Sequence, residues 1–270
     1  MRIVSVGHAV FAAVMIGIGI LGLVHQEYAA IWDGIPKALP GCEYLPYLSS
    51  LVALACGVGL LWPRTATVAA RVLLAYLLLW MLIFKGRYIL LAPTTEGSYQ
   101  SAGENAVEVA GAWVLYTWLA GDWDRRWIGF ATGDKGVRIA RAFYGLAMIA
   151  FGLSHFFYLQ FTAPLIPSWL LWPVFWAYFT GTCYLAAGVA VLTGILGRLA
   201  ATLAAIQMAA FLFFVWLPII LAGKITDFNW GEIVVNIALV AGAWLVVESY
   251  RGEPWLMKRK TAGSPIQSSP

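Results

Sequence analysis

Few residues of this chain can do acid–base or ligand chemistry, and most recur at matching distances in its two halves. His25 ends the run Gly22, Leu23, Val24, His25, and His155 ends Gly152, Leu153, Ser154, His155, 130 residues later. Asn105 and Asn236 lie 131 residues apart. Glu104 and Glu108 flank the first, and Glu232 precedes the second. Glu104 and Glu108 are four residues apart, as are Glu232 and Asn236, so each pair shares one helical face. A neutral imidazole accepts a proton or ligates a metal, and a carboxyl among apolar groups can hold or release a proton. Lys85 and Arg87, at the end of a neighbouring apolar run, could supply the partner that a buried carboxylate at 104 or 108 requires.

Each group also has a structural role open to it. Carboxylates in the first turn of a helix favour its positive dipole end, which would account for Glu104 and Glu232. Glu108 lies a full turn deeper. The histidines could anchor the loops that follow them. Two equivalent histidines could in principle hold a haem, but nothing else in the sequence supports one. Haem and metal are therefore not expected. The strongest candidates are His25, Glu108 and Arg87 in the first half and His155, Glu232 and Asn236 in the second, with Glu104 beside them and the first half preferred.

These groups sit in a chain that is 61% apolar and 11% charged, with a mean hydropathy of +0.80. Soluble domains hold roughly 45–50% and 25%. The composition implies an integral membrane protein. The net charge of +4 is no sign of nucleic acid, because the cations cluster at the ends of apolar runs without aromatic interleaving or a basic helix. Cys42, Cys56 and Cys183 form no CxxC pair. Arg2 precedes apolar sequence with no A-x-A-like site, which predicts an uncleaved first span.

A spanning helix needs about 20 apolar residues. Suitable windows run from Ile3 to Val24, Pro46 to Leu61, Ala66 to Leu91 and Ala102 to Ala120. Four more run from Val137 to Tyr158, Pro173 to Thr193, Leu199 to Ala222 and Gly231 to Tyr250. The repeated signals extend beyond the histidines. Ile35 and Pro36 return as Ile166 and Pro167, and Val109, Ala110, Gly111, Ala112, Trp113 returns unchanged as Val240, Ala241, Gly242, Ala243, Trp244. The expected fold is therefore an all-α integral membrane protein of eight transmembrane helices, built as two parallel-related four-helix bundles. The first repeat covers residues 1–121 and the second 137–251. Between them lies a charged connector, 122–136, and a disordered tail follows at 252–270. Proline breaks helices, so Glu27 to Leu45 and Gln160 to Trp172, each with two prolines, are expected as interfacial or re-entrant loops.

Twelve cations fall on the side of the termini and connector and four on the other, with Arg71 able to snorkel from just inside a helix end. The positive-inside rule then places both termini in the cytoplasm and the Pro-bearing loops outside. Gln207, near the middle of the seventh span, reads as an interhelical hydrogen bond. Trp80, Trp113 and Trp244 read as core packing rather than as pocket walls.

The first span ending in GLVH or GLSHFFY, the Ile-Pro loop, and a second span with CGVGLL or AAGVAVLTG lead by a short turn to an Ala-rich third span, RLAATLAA. Together they resemble the DoxX and DoxX-like membrane proteins. The resemblance covers one bundle at a time, and four-span members of that family imply a fused pair here. The family pattern often places Glu four residues before the second-span glycine. Ala53 and Tyr184 stand there in this chain. The resemblance implies a subunit or accessory of a membrane redox system in a bacterial inner membrane, beside a redox partner. A quinone would bind between apolar walls and the outward-facing polar groups, since its reduction consumes protons as well as electrons. The alternative is a non-enzymatic protein that holds a lipid or other hydrophobic ligand, or that assists assembly of another membrane protein.

Overall fold

In the computed structural model of the protein, residues 3–25, 40–223 and 225–256 are described. Among them there are helices and turns but no strands. Helix α1 spans Val6–Val24 and starts where the Ser5 hydroxyl accepts the His8 N–H. Helix α2, Leu45–Leu61, has Pro46 in its first turn, where the missing donor costs no intrahelical bond. Helix α3 spans Ala66–Leu91 and α4 spans Glu96–Leu119. A short connector helix, α5, covers Asp122–Trp127. Helices α6 (Gly133–Phe157), α7 (Pro173–Thr193), α8 (Gly197–Leu221) and α9 (Asp227–Glu248) follow. Both α3 and α8 contain a π-helical segment, Met81–Lys85 in one and Leu212–Trp216 in the other, 131 residues apart.

Seven of these helices are long and apolar enough to cross a membrane, against the eight expected. The eighth is α4, which has the length, 24 residues, but carries Glu96, Glu104, Asn105 and Glu108. Its position compensates. Neighbours bury it from Gly103 to Thr117 except at Glu104, so few of its polar groups need meet lipid. The chain is an all-α membrane protein, with α4 as the enclosed helix.

Each helix packs on the next, and α4 follows this rule across the connector by packing on α6. The circuit closes where α9 meets α1, and α4 also packs on α9 across the middle. The first helix of each half thus leans on the last helix of the other half. Small residues permit these approaches. A Cβ on Gly111 would stand 2.7 Å from the Gly242 Cα, and one on Gly242 would stand 2.8 Å from the Val107 carbonyl oxygen. The two helices cross backbone to backbone at equivalent positions of the repeated VAGAW sequence.

The connector is fastened by a single carboxylate. Asp124 is fully buried and accepts hydrogen bonds from Arg71 Nε (2.7 Å), Arg71 Nη2 (3.0 Å), the Tyr116 hydroxyl (2.9 Å) and the Gly121 N–H (3.0 Å). Burial alone would push its carboxyl up. The bonds from Arg71, Gly121 and Tyr116 outweigh that and hold it below the usual carboxylate range. Arg71, able to snorkel toward the connector side, reaches this acid there and lies over the Trp123 ring at 4.5 Å.

After α6 the chain makes a short helix, Leu159–Thr162, and one 3₁₀ turn, Ala163–Leu165, as an irregular Pro-bearing segment should. Most of the corresponding loop in the first half, including Pro36, lies outside the described residues, as does most of the tail.

Candidate functional site

The π segments decide what faces inward near the end of the membrane opposite the termini. Each brings its last residue into the protein: Lys85 is 3% exposed and Trp216 is 7% exposed. From this point the halves differ. In the first, the Lys85 ammonium donates to the Ser101 hydroxyl at 2.9 Å. In the second, Trp216 borders a cavity of about 170 Å³.

This cavity lies between α4, α6, α7, α8 and α9, under Thr162, Leu165 and Ile166 of the Pro-bearing segment. Its walls are mostly apolar, from Phe151, Phe211, Val215, Trp216 and Leu239. Four polar groups of interest reach it: Glu104 from α4, His155 from α6, and Glu232 and Asn236 from α9. Asn236 is buried, whereas Glu104, His155 and Glu232 are half-buried. The His155 ring stacks on Phe211 at 6.5 Å and tilts against Tyr184 at 5.8 Å. Its Nδ1 lies 2.8 Å from the Phe151 carbonyl oxygen. A carbonyl only accepts, so Nδ1 carries the hydrogen and Nε2 keeps a lone pair.

Four of the seven candidates therefore meet at one cavity, and three do not. His25 caps the C-terminus of α1 and is exposed. Arg87 is exposed two residues beyond Lys85, because the π segment turns Lys85 inward and leaves Arg87 on the outside. Glu108 is fully buried and does not line the cavity. It sits one helical turn behind Glu104, and Lys85 acts on it electrostatically without closing to an ion pair among the described residues. Lys85 and Arg87, as possible partners of Glu104 or Glu108, favour a site in the first half. The cavity instead belongs to the second half and borrows Glu104 from the first.

Two wall residues escaped the sequence reading. Tyr184 stands where the resemblance leads one to expect glutamate and is an edge of the cavity. Trp216 carries no signal of its own in the sequence, since the π segment that ends at it has no sequence signature. Gln207 bonds as expected: its Nε2 donates to the Thr180 carbonyl oxygen at 3.1 Å, tying α8 to α7. Trp80 and Trp113 are core residues, and Trp113 Nε1 donates to the Ala131 carbonyl oxygen at 3.0 Å. Trp244 differs. It is 40% exposed and lines an apolar groove with Ala205, Ala209 and Val240.

Helices of this length and polarity, arranged around one enclosed acid-bearing helix, define a polytopic α-helical membrane protein. Residues 136–216, which run from the start of α6 to Trp216, match the model of the family described as DoxX. The matched stretch supplies His155, Tyr184 and Trp216 to the cavity. No curated protein and no solved structure matches the chain.

Proposed function

We propose that this DoxX-like protein serves a membrane redox system, binding the headgroup of a quinone in the cavity between α4 and α6 to α9. The observation that carries the reading is the composition of that cavity. Apolar walls suit a ring and its tail, and His155, Glu104, Glu232 and Asn236 among them could exchange hydrogen bonds with ring oxygens. The volume is in keeping, since a cavity of about 150 Å³ is enough to take up benzene. A bound quinone carries electrons and protons between partners. His155, with its Nδ1 hydrogen committed to Phe151, presents Nε2 as a proton acceptor, and Asn236 offers an amide donor. The electrons would come from a redox partner subunit.

The cation count supports placing both termini in the cytoplasm of a bacterial inner membrane, with the cavity facing out. The matching π segments, the Gly111–Gly242 crossing and the paired sequence motifs support reading the chain as a duplicated four-helix unit with its halves facing the same way. A second reading, a holder of lipid or of another membrane protein, is favoured by the apolar groove beside Trp244.

Quenching of Trp216 fluorescence by a short-chain ubiquinone, measured on purified protein against Trp216→Phe, separates the two readings. Saturable quenching that weakens in His155→Ala supports the quinone site. No quenching, with lipid alone co-purifying, supports the second reading.

A further inference from the structure

We propose that Glu108 is a proton-storage site for the cavity, reached through Glu104. The geometry has three parts. First, Glu108 is fully buried, and neither of its carboxyl oxygens has a hydrogen-bond partner among the described residues. A carboxylate so placed, without a donor, is disfavoured by several kcal/mol in an apolar interior. With no exposed surface on Glu108, a hydrated cation has no room beside it. A proton needs none, so the resting form is the neutral acid.

Second, Glu104 lies one turn along α4 on the same face, with about 5–6 Å between the β-carbons, and borders the cavity. Glu104 therefore stands between the store and the ligand. Third, Lys85 points inward from α3, 3% exposed and held by Ser101. When the Glu108 O–H gives its proton to the Glu104 carboxylate, one proton moves and no electrons do. The anion left behind is compensated by the Lys85 ammonium. The other groups facing this region are Tyr76 from α3, and His155 from α6 and Glu232 from α9 at the cavity itself. The second half has no such store, since Leu239 stands at the position corresponding to Glu108 and Trp216 at that of Lys85.

Residence of the proton on Glu108 is independent of the ligand, whereas its delivery to a quinone rests on the function proposed above. Infrared spectroscopy of the full-length protein in nanodiscs tests the two parts separately. In protein without added quinone at neutral pH, a protonated-carboxyl C=O band should be present and should disappear in Glu108→Gln. Glu108→Leu, which installs the residue found at position 239, provides the same comparison should the amide disturb folding. Transfer into D₂O should shift the band, and Glu104→Gln should slow that shift by about 10²-fold, the usual contribution of a positioned proton carrier. Absence of the band in the wild type, or an exchange rate unchanged in Glu104→Gln, would overturn the proposal. Adding decyl-ubiquinol or its oxidised form should perturb the band. If the band and its exchange behave as expected but neither form perturbs it, the store stands and the quinone reading fails.

Discussion

Replacing Asp124 with Asn should loosen the connector and with it the packing of α3 against α4. The wild-type carboxylate is fully buried and accepts four hydrogen bonds, two of them from one guanidinium. An amide keeps one accepting oxygen and turns N–H groups toward Arg71, so at least two charge-assisted bonds are lost. Such bonds contribute about 1.5–3 kcal/mol each, and breaking a fully buried pair costs about 3–5 kcal/mol. The Arg71 side chain is 34% exposed, so water recovers part of the loss, and the net cost is about 2–3 kcal/mol. At roughly 2–4 °C per kcal/mol for a chain of this size, the apparent Tm should fall by about 5–10 °C.

The pH dependence has a definite sign. A carboxyl held below its ordinary value in the folded state stabilises the fold fully above the unfolded value, near 3.9. That contribution is lost as pH falls through the folded value. The difference between wild type and Asp124→Asn should therefore be full at pH 7 and shrink below about pH 4. Intrinsic fluorescence melts at a fixed scan rate, in one detergent, are sufficient. Equal Tm values at pH 7, or a gap that widens on acidification, would refute the account of Asp124 as the fastening.

Further substitutions read out other parts of the structure. Gly111→Val places branched carbons where the Gly242 backbone stands at 2.7 Å, and the yield of monodisperse protein on size exclusion should collapse, whereas Gly129→Ala, in open space, should leave it unchanged. Gln207→Leu removes the bond to Thr180, and the melt should shift by no more than the roughly 0.6 kcal/mol typical of such interhelical bonds in membranes. His155→Ala should weaken ubiquinone quenching of Trp216 by about tenfold, worth about 1.4 kcal/mol, while Arg87→Ala, exposed and away from the cavity, should leave it within twofold.

Hydropathy located the helices well, because a bilayer demands long apolar runs and a chain cannot disguise them. The third window, Ala66 to Leu91, is the observed span residue for residue. Prolines 164 and 167 marked the irregular segment for an equally local reason, since each removes a backbone donor. Partner choice was not legible. The repeated GLVH and VAGAW motifs point to a duplicated four-helix unit but not to which helices pack across the halves, since in lipid every apolar face suits every other and backbone fit at Gly111 and Gly242 decides. The site was half legible. His155, Glu232 and Asn236 stand out in the sequence as polar groups at span ends, and so does Glu104, but the spacing pairs Glu104 with Glu108 and does not show that it joins the other half's groups at one cavity. Which of Lys85 and Arg87 points inward is not legible, because a π segment changes it and spacing counted at 3.6 residues per turn cannot register that.

The closure of the helix circuit by α9 against α1, where the Gly7 N–H donates to the Glu248 carboxylate at 3.4 Å, bears on how the protein is made. Synthesis proceeds from the N-terminus, so α1 enters the bilayer with α2 beside it and must hold one flank open until α9 emerges. A ribosome that stops before Asp227 leaves α1, α4 and α8 each lacking a main neighbour at once. Glu104, which shares the cavity with α9, would then face lipid or water on that side. Quality control that samples such polar surface within the bilayer would find a chain marked until α9, 22 residues long, docks.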